Sequence, residues 1–183
     1  MCIRDRAQLA ATDPSDNGGY SLDVSVTYDP VQAAHPYATH ACLVEVDPGS
    51  GAVEIRRYVV ADDCGTVINP TIVDGQVVGG IAQGIGAVLY EEITYGSDGQ
   101  LLSGSFMDYL IPTAGEMPNV VEIKHLVTPS TVHELGTKGI GEGGTIGSTA
   151  AVANAIADAL SVPNGTLPFT PDRILSLLRA KTR

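Results

Sequence analysis

Hydrophobic and polar residues alternate in two stretches of the first half of the chain. The stretches YATHACLVEVD, from Tyr37, and AVEIRRYVVA, residues 52–61, alternate with a period of two and are rich in β-forming residues. The residues between them, DPGSG, are typical of a tight turn. The pattern therefore predicts a β-hairpin.

A different spacing begins after Pro70, in TIVDGQVVGGIAQGIGAVLYEEITY. Its apolar positions recur every three or four residues, which predicts a buried helix: Val73, Val77, Ile81, Ile85, Val88 and Leu89. Each of four glycines in it costs about 0.8 to 1 kcal/mol of helix propensity relative to Ala: Gly79, Gly80, Gly84 and Gly86. Something must need that space, either close helix packing or a bulky ligand, beside which Gln76 and Gln83 would present their amides.

The second half of the chain continues the mixture of strand and helix patterns. LLSGSFMDYLIP and VVEIKHLVTP indicate an extended segment and a strand, and DRILSLLRAK a last short helix. A longer helix is predicted to begin near Thr145, with an apolar face of Ile146, Ala150, Ala153, Ile156, Ala157 and Leu160. This order of elements predicts an α+β fold, with a mainly antiparallel sheet and packed helices.

The domain organisation predicted from composition is simple. The stretch before Gly19 has no periodicity, so residues 1–18 are assigned as a flexible leader that need not be native to the domain. Residues 19–183 are assigned to one domain, a size that is typical of a single core.

Composition excludes several classes of partner and site. The formal net charge of −11 would repel nucleic acid, and the sequence lacks an uninterrupted apolar run of the length that a membrane span needs. Neither the three cysteines nor the four histidines have the spacing of a zinc or disulfide framework, so we expect no metal held by protein side chains. Reduced thiols favour a cytoplasmic location.

A glycine-rich loop, GTKGIGEGG at residues 136–144, precedes the longer second helix. It fits G-x-G-x-x-G, but a nicotinamide site would need the loop to turn directly out of a strand, which this sequence does not provide. The start of a helix attracts an anion, such as a phosphate beside Lys138. Glu142 at this position could be a base, kept ionised by the helix dipole, or a carboxylate that only caps free N–H groups.

These two glycine-bearing stretches, GQVVGGIAQGIGAVLYEE (75–92) and GTKGIGEGG (136–144), resemble the molybdopterin-binding large subunit of the xanthine dehydrogenase and aldehyde oxidase family. VEVDPGSGAVEIRRYVVADDCGTVINP (44–70) agrees with the same family. The resemblance runs from about Tyr37 to Leu160 and implies the C-terminal part of that subunit's cofactor-binding domain.

The resemblance implies roles for particular residues. Glu142 matches the family's catalytic base, which takes a proton from the attacking hydroxyl. Gln76 matches a glutamine that binds the pterin, and Lys138, Gly139, Ile140 and Gly141 match the loop along the cofactor. The family's metal is held by molybdopterin, which agrees with the lack of protein ligands here.

The family also implies partners and a reaction. An aldehyde, purine or N-heterocycle is hydroxylated with oxygen from water, and electrons leave through iron-sulfur clusters and FAD on other domains or subunits. Bacterial relatives often carry the cytosine dinucleotide form of the cofactor. The N-terminal half of the large subunit would complete the site, so we expect the chain to be a fragment that is inactive alone. The alternative is a non-catalytic cofactor-binding or assembly module derived from such an enzyme.

Overall fold

The computed structural model describes residues 25–27, 29, 32–162 and 165–181. The chain divides into two units, Met1–Val31 and Gln32–Arg183, and every element named below lies in the second. The leader predicted at residues 1–18 lies outside the described residues.

A three-stranded sheet forms the first layer. Strands β1 (Tyr37–Val46) and β2 (Val53–Asp63) pair antiparallel, with a bulge at Leu43/Val44, as the alternating pattern predicted. Strand β3 (Val121–His125) pairs parallel with the other edge of β2. The α+β class is confirmed, with an antiparallel hairpin and one parallel strand.

Helix α1 (Pro70–Leu89) begins at an N-cap, Asn69, whose side chain accepts a hydrogen bond from the Ile72 N–H. A proline at N1, where the N–H would lack a partner in any case, helps to fix this start. All six apolar positions predicted for the helix are buried, and they form the core with Tyr58 and Val60 of β2. The period of the sequence therefore predicted both the helix and its buried face.

Helix α2 (Gly143–Leu160) begins two residues before the predicted start, and its buried face differs from the predicted one. Ile146 is 76% exposed and Ala150 is exposed, whereas Ile156 and Leu160 are buried as predicted. The buried stripe runs through Gly144, Ser148, Val152, Ile156 and Leu160. The prediction of Ile146 was wrong because α2 packs on α1 through small residues, which hydrophobicity does not mark.

The remaining segments connect these layers. Residues 101–112, predicted as extended, form turns apart from a single bridge between Tyr95 and Leu101. A short 3-10 helix (Ala114–Glu116) leads into β3, and helix α3 (Pro171–Lys181) forms where the last amphipathic pattern predicted it.

Helix α1 is also the single described helix that is long and apolar enough to cross a membrane, with a mean hydropathy of 1.4. Half of that window is buried inside the protein, and a buried core helix passes the same test of length and composition.

Candidate functional site

The two glycine-bearing stretches meet where α1 crosses α2. A Cβ on Gly80 would lie 2.6 Å from the carbonyl carbon of Gly144, closer than side chains approach backbone. One turn further, a Cβ on Gly84 would overlap Ser148, whose hydroxyl donates to the Gly80 carbonyl at 3.2 Å. Close helix packing therefore accounts for Gly80 and Gly84.

The outer face of α1 has glycines that this packing does not explain. A Cβ on Gly75 or on Gly79 would meet no described atom within 4 Å. Gln76 lies between them and is exposed, whereas Gln83, further along the helix, accepts a hydrogen bond from the Thr145 hydroxyl at 3.0 Å. This part of α1 presents bare backbone and one amide outward.

A hollow of about 270 Å³ lies at the start of α2. Its walls come from the glycine-rich loop, the first turn of α2 and the segment before β1: Ala34, His35, Pro36, Gly139, Gly141, Glu142, Gly143 and Ile146. A Cβ on Gly141 would meet no described atom within 4 Å, so the loop wall of this hollow is bare main chain.

Glu142 is the N-cap residue of α2, but its side chain makes no capping hydrogen bond to any described residue. Its carboxylate is exposed at the hollow. Its own N–H and that of Gly141 are likewise without a hydrogen-bond partner in the described part of the chain. The carboxylate thus lies at the N-terminal end of α2, which is the positive end of the helix dipole.

Lys138 has a different environment from the one expected for a phosphate ligand. Its ammonium is 3.0 Å from Oδ1 of Asp63 and 4.6 Å from the centre of the Tyr37 ring. Asp63 is buried and also accepts hydrogen bonds from the Tyr37 hydroxyl and the N–H groups of Gly65 and Thr128. Burial raises the pKa of Asp63, but these donors outweigh it, so the pKa lies well below its ordinary value.

The structure brings some of the predicted site residues together and separates others. Gly139, Gly141 and Glu142 share the hollow at the start of α2. Lys138 and Ile140 line a second hollow of about 250 Å³, and the residues at the start of α1 form another of its walls. Gln76 lines neither of the two, but the next residue, Val77, touches Gly144 at the helix crossing.

Sequence reasoning missed the segment before β1. Residues 34–36 form a wall of the Glu142 hollow, and the Ala34 carbonyl accepts a hydrogen bond from the Gly139 N–H at 3.2 Å. No local pattern marks such a long-range contact.

It also gave no role to His125, at the end of β3. This ring bonds Asp62 through Nδ1 and Asp74 through Nε2, both at 2.8 Å. Burial would lower the pKa of His125, but the two carboxylates outweigh it and raise the pKa. The contact joins the sheet to α1: the pairing of β2 with β3 places Asp62 beside His125, and the packing of α1 on the sheet brings Asp74 to the same ring.

Comparison with known proteins gives the family. A model described as a molybdopterin cofactor-binding domain matches residues 3–118, more than half of the chain. The chain belongs to this family. Together with the relatives below, this match confirms the resemblance to the molybdenum-binding large subunit of the xanthine dehydrogenase and aldehyde oxidase family.

Relatives and solved structures agree with that assignment. The nicotine 6-hydroxylase large subunit of Paenarthrobacter nicotinovorans is 42% identical over 158 residues, which are 84% of this chain and 19% of the relative. The carbon monoxide dehydrogenase large chain of Afipia carboxidovorans is 36% identical over 88% of this chain and 20% of its own length. Quinoline 2-oxidoreductase from Pseudomonas putida 86 superposes with a TM-score of 0.73 at 45% identity, over 76% of this chain and 18% of that one.

The chain thus spans about a fifth of the length of these relatives. The family model ends before the glycine-rich loop. The match to the nicotine 6-hydroxylase subunit covers 84% of the 183 residues, so wherever it begins it includes position 142. The protein is a member of the molybdenum hydroxylase family.

Proposed function

We propose that this chain supplies one wall of the molybdopterin site and the catalytic base, Glu142, of a molybdenum hydroxylase. One observation carries the proposal: the Glu142 carboxylate lies at the start of α2 without a capping hydrogen bond to any described residue, in a hollow walled by bare main chain. Because the side chain caps no described N–H group, its oxygens are available to a ligand in the hollow.

The residues present fit a large cofactor that brings its own metal ligands. The described residues contain no group of three His, Cys, Asp or Glu side chains that could hold a metal ion. Instead, they offer open glycine backbone at Gly141 and on the outer face of α1, where Gln76 can donate and accept hydrogen bonds. The hollow is smaller than most complete ligand sites, so the rest of the large subunit would close it.

The loop residues would bind the cofactor mainly through backbone N–H groups and less through charged side chains. The ammonium of Lys138 is held by Asp63, and the N–H groups of Lys138 and Gly139 already bond the carbonyls of Cys64 and Ala34. The N–H groups of Ile140, Gly141 and Glu142 have no described acceptor, and that of Gly141, in the bare loop wall, would serve an acceptor on the pterin. Gln76, Lys138, Gly139, Ile140 and Gly141 are proposed as cofactor contacts on this basis.

Glu142 would act as the proton acceptor. Its carboxylate, at the start of α2 beside the hollow, would accept a proton from a donor that is itself acidic. When bound, the molybdenum cofactor would supply the two-electron oxidation through which oxygen from water is added to an electron-poor carbon. The chain's task is to hold a carboxylate oxygen of Glu142 where that proton is released.

We propose an N-heterocycle as the substrate to test first, with aldehydes and purines as the wider class. Nicotine and quinoline, in the names of two relatives, are both N-heterocycles. Electrons would leave through iron-sulfur and FAD groups on partner subunits or domains, and the assembly would be cytoplasmic. A cytosine dinucleotide form of the cofactor would release a cytosine nucleotide on hydrolysis.

The test replaces Glu142 in the full-length subunit, assembled with its partners. Glu142→Gln keeps size and hydrogen bonding but cannot accept the proton, so turnover should fall by about 10²- to 10⁴-fold. Dye reduction is measured with nicotine, quinoline, an aldehyde and a purine, and molybdenum and pterin contents are measured in parallel. Glu134→Gln, at an exposed glutamate of the preceding loop, is the matched control.

Unchanged turnover in Glu142→Gln, with normal molybdenum content, would remove Glu142 as the base. An assembly module predicts a different result: no substrate is turned over by the wild-type assembly, although cofactor is bound.

A further inference from the structure

The first turn of α2, which carries Glu142 at its start, is weak by its own sequence. Gly143, Gly144 and Gly147 lower its helix propensity, and Glu142 adds no capping bond to a described residue. Contacts from other elements must therefore fix where this turn lies. On one side α1 supplies such a contact, because a Cβ on Gly144 would lie 3.0 Å from the Cα of Val77.

On the other side, the contact comes from His40 of β1. A Cβ on Gly147 would overlap Cδ2 of the His40 ring and lie 2.9 Å from its Nε2. The Gly143 carbonyl lies near enough to the ring to oppose the lowering of its pKa by burial. The Nε2 edge of His40 is therefore packed directly against the backbone of the first turn of α2.

His40 is itself held from beneath by Tyr58 of β2. Its Nδ1 is 2.9 Å from the Tyr58 hydroxyl, and the two rings meet edge to face with centroids 5.9 Å apart. Tyr58 is fully buried, and burial raises its pKa, so the hydroxyl keeps its proton and shares a hydrogen bond with Nδ1. The Nε2 atom of the ring lies on the side of α2.

That Nε2 is buried and, among the described residues, has no hydrogen-bond partner. Enclosed polar atoms are nearly always satisfied in native proteins. The Gly143 backbone nevertheless lies close enough to oppose the lowering of the ring's pKa by burial, so close packing against the backbone of α2 fixes its position.

We propose that His40 is a positioning residue for Glu142. The His40 ring, which contacts Tyr58, fixes the position of the first turn of α2. It thereby places the Glu142 carboxylate where it can accept the proton. The inference rests on the proposed role of Glu142. Sequence spacing gave the histidine no function, because β1 and α2 meet only in the folded protein.

The experiment uses the full-length subunit in its assembly, with and without cofactor. His40→Ala removes the ring, His40→Asn places an amide at the position of Nδ1, and His40→Gln places one at the position of Nε2. Tyr58→Phe removes the hydroxyl alone. Thr39→Ala, at the exposed neighbour on the same strand, is the matched control.

His40→Ala should lower kcat by about tenfold to a hundredfold with little change in KM, because small misplacements of a reacting group have effects of that size. Amide hydrogen exchange at residues 143–148 should become faster in the cofactor-free subunit as well. His40→Gln should restore most of both properties, and His40→Asn less, because the Nε2 edge makes the contact with α2. The kcat and the exchange rates at residues 143–148 in Tyr58→Phe should lie between those of the wild type and those of His40→Ala.

Unchanged kcat and unchanged exchange at residues 143–148 in His40→Ala would overturn the proposal. So would equally faster exchange across the buried part of α1, residues 77–89, which indicates general destabilisation. If His40→Ala does not fold, His40→Gln and Tyr58→Phe give the same two readings.

Glu142→Gln separates the two proposals. If that variant stays active, the proposed function fails, whatever the exchange data show. If it is inactive while His40→Ala keeps wild-type kcat, the positioning role alone fails.

Discussion

Gly80 of α1 and Gly144 of α2 lie so close that a Cβ on Gly80 would be 2.6 Å from the Gly144 carbonyl carbon. The contact joins the helix that carries Gln76 to the helix that begins at Glu142. Two residues predicted to serve one cofactor thus lie on helices whose spacing is set by two glycines.

Replacing Gly80 should therefore destabilise the subunit. Gly80→Ala would force the helices apart, and overpacking of this kind costs about 1 to 3 kcal/mol. Gly79→Ala is the matched control, since a Cβ there meets no described atom within 4 Å and Ala is the better helix former by about 1 kcal/mol. Denaturant titration of the full-length subunit measures both. Equal stability of the two variants would contradict the packing argument.

A substitution at Gly141 should reduce cofactor binding without affecting folding. Gly141→Val meets open space in this chain, so the subunit should fold normally. If the loop lies along the pterin, the isopropyl group would occupy its place, and molybdenum and pterin contents should fall together. Gly104→Val, at a loop glycine where a Cβ makes only an ordinary contact of 3.8 Å, should keep full loading. Normal loading of Gly141→Val would remove the loop from the cofactor site.

The contact of His125 with Asp62 and Asp74 should make the join between β3 and α1 sensitive to pH. The pKa of His125 is raised on folding, so its contribution to stability is complete below the unfolded value of about 6.5 and is lost as pH rises through the folded value. The stability difference between wild type and His125→Gln should shrink as the pH is raised above neutrality. Hydrogen exchange of β3 and the first turn of α1, measured as a function of pH, tests this.

Asp74→Asn retains a hydrogen-bond acceptor beside His125 but removes one charge. It should reduce the pH dependence without abolishing it, because the buried Asp62 still faces Nδ1. A stability difference that grows with pH would show that the sign is wrong.

The buried ion pair of Asp63 and Lys138 should be costly to break from one side. Lys138→Met leaves a buried carboxylate without its cation, a change that typically costs about 3 to 5 kcal/mol. Tyr37→Phe removes one of the other donors and should cost about 1 kcal/mol. Denaturant titration at neutral pH should show a larger loss of stability for Lys138→Met than for Tyr37→Phe. The reverse order would show that the Tyr37 hydroxyl stabilises Asp63 more than the Lys138 ammonium does.

The same carboxylate predicts the response to acid. Because the pKa of Asp63 is lowered on folding, its contribution is present above the unfolded value of about 3.9 and is lost as pH falls through the folded value. The advantage of wild type over Asp63→Asn should therefore decline as the pH is lowered below 4. Unfolding curves from pH 7 to pH 2 give the comparison.

Much of the fold followed from periodicity. The hairpin and α1 were predicted together with the buried positions of the helix, because alternation and a three-to-four spacing report which side of an element meets the core. The start and the buried face of α2 were not predicted. Gly144 and Ser148 are buried because they fit closely against α1, and not because they are hydrophobic. Ile146, the most apolar residue of that turn, is instead exposed beside Glu142.

The sequence by itself determined the family, the hairpin, helix α1 and the glutamate to be tested, since these depend on local spacing and on motifs that a single chain carries. Tertiary structure alone decided that Lys138 is bound to Asp63, that residues 34–36 line the Glu142 hollow, and that His40 supports the turn above it. Those relationships join residues far apart along the chain. They arise only when packing of the sheet and helices fixes distances that no local pattern encodes.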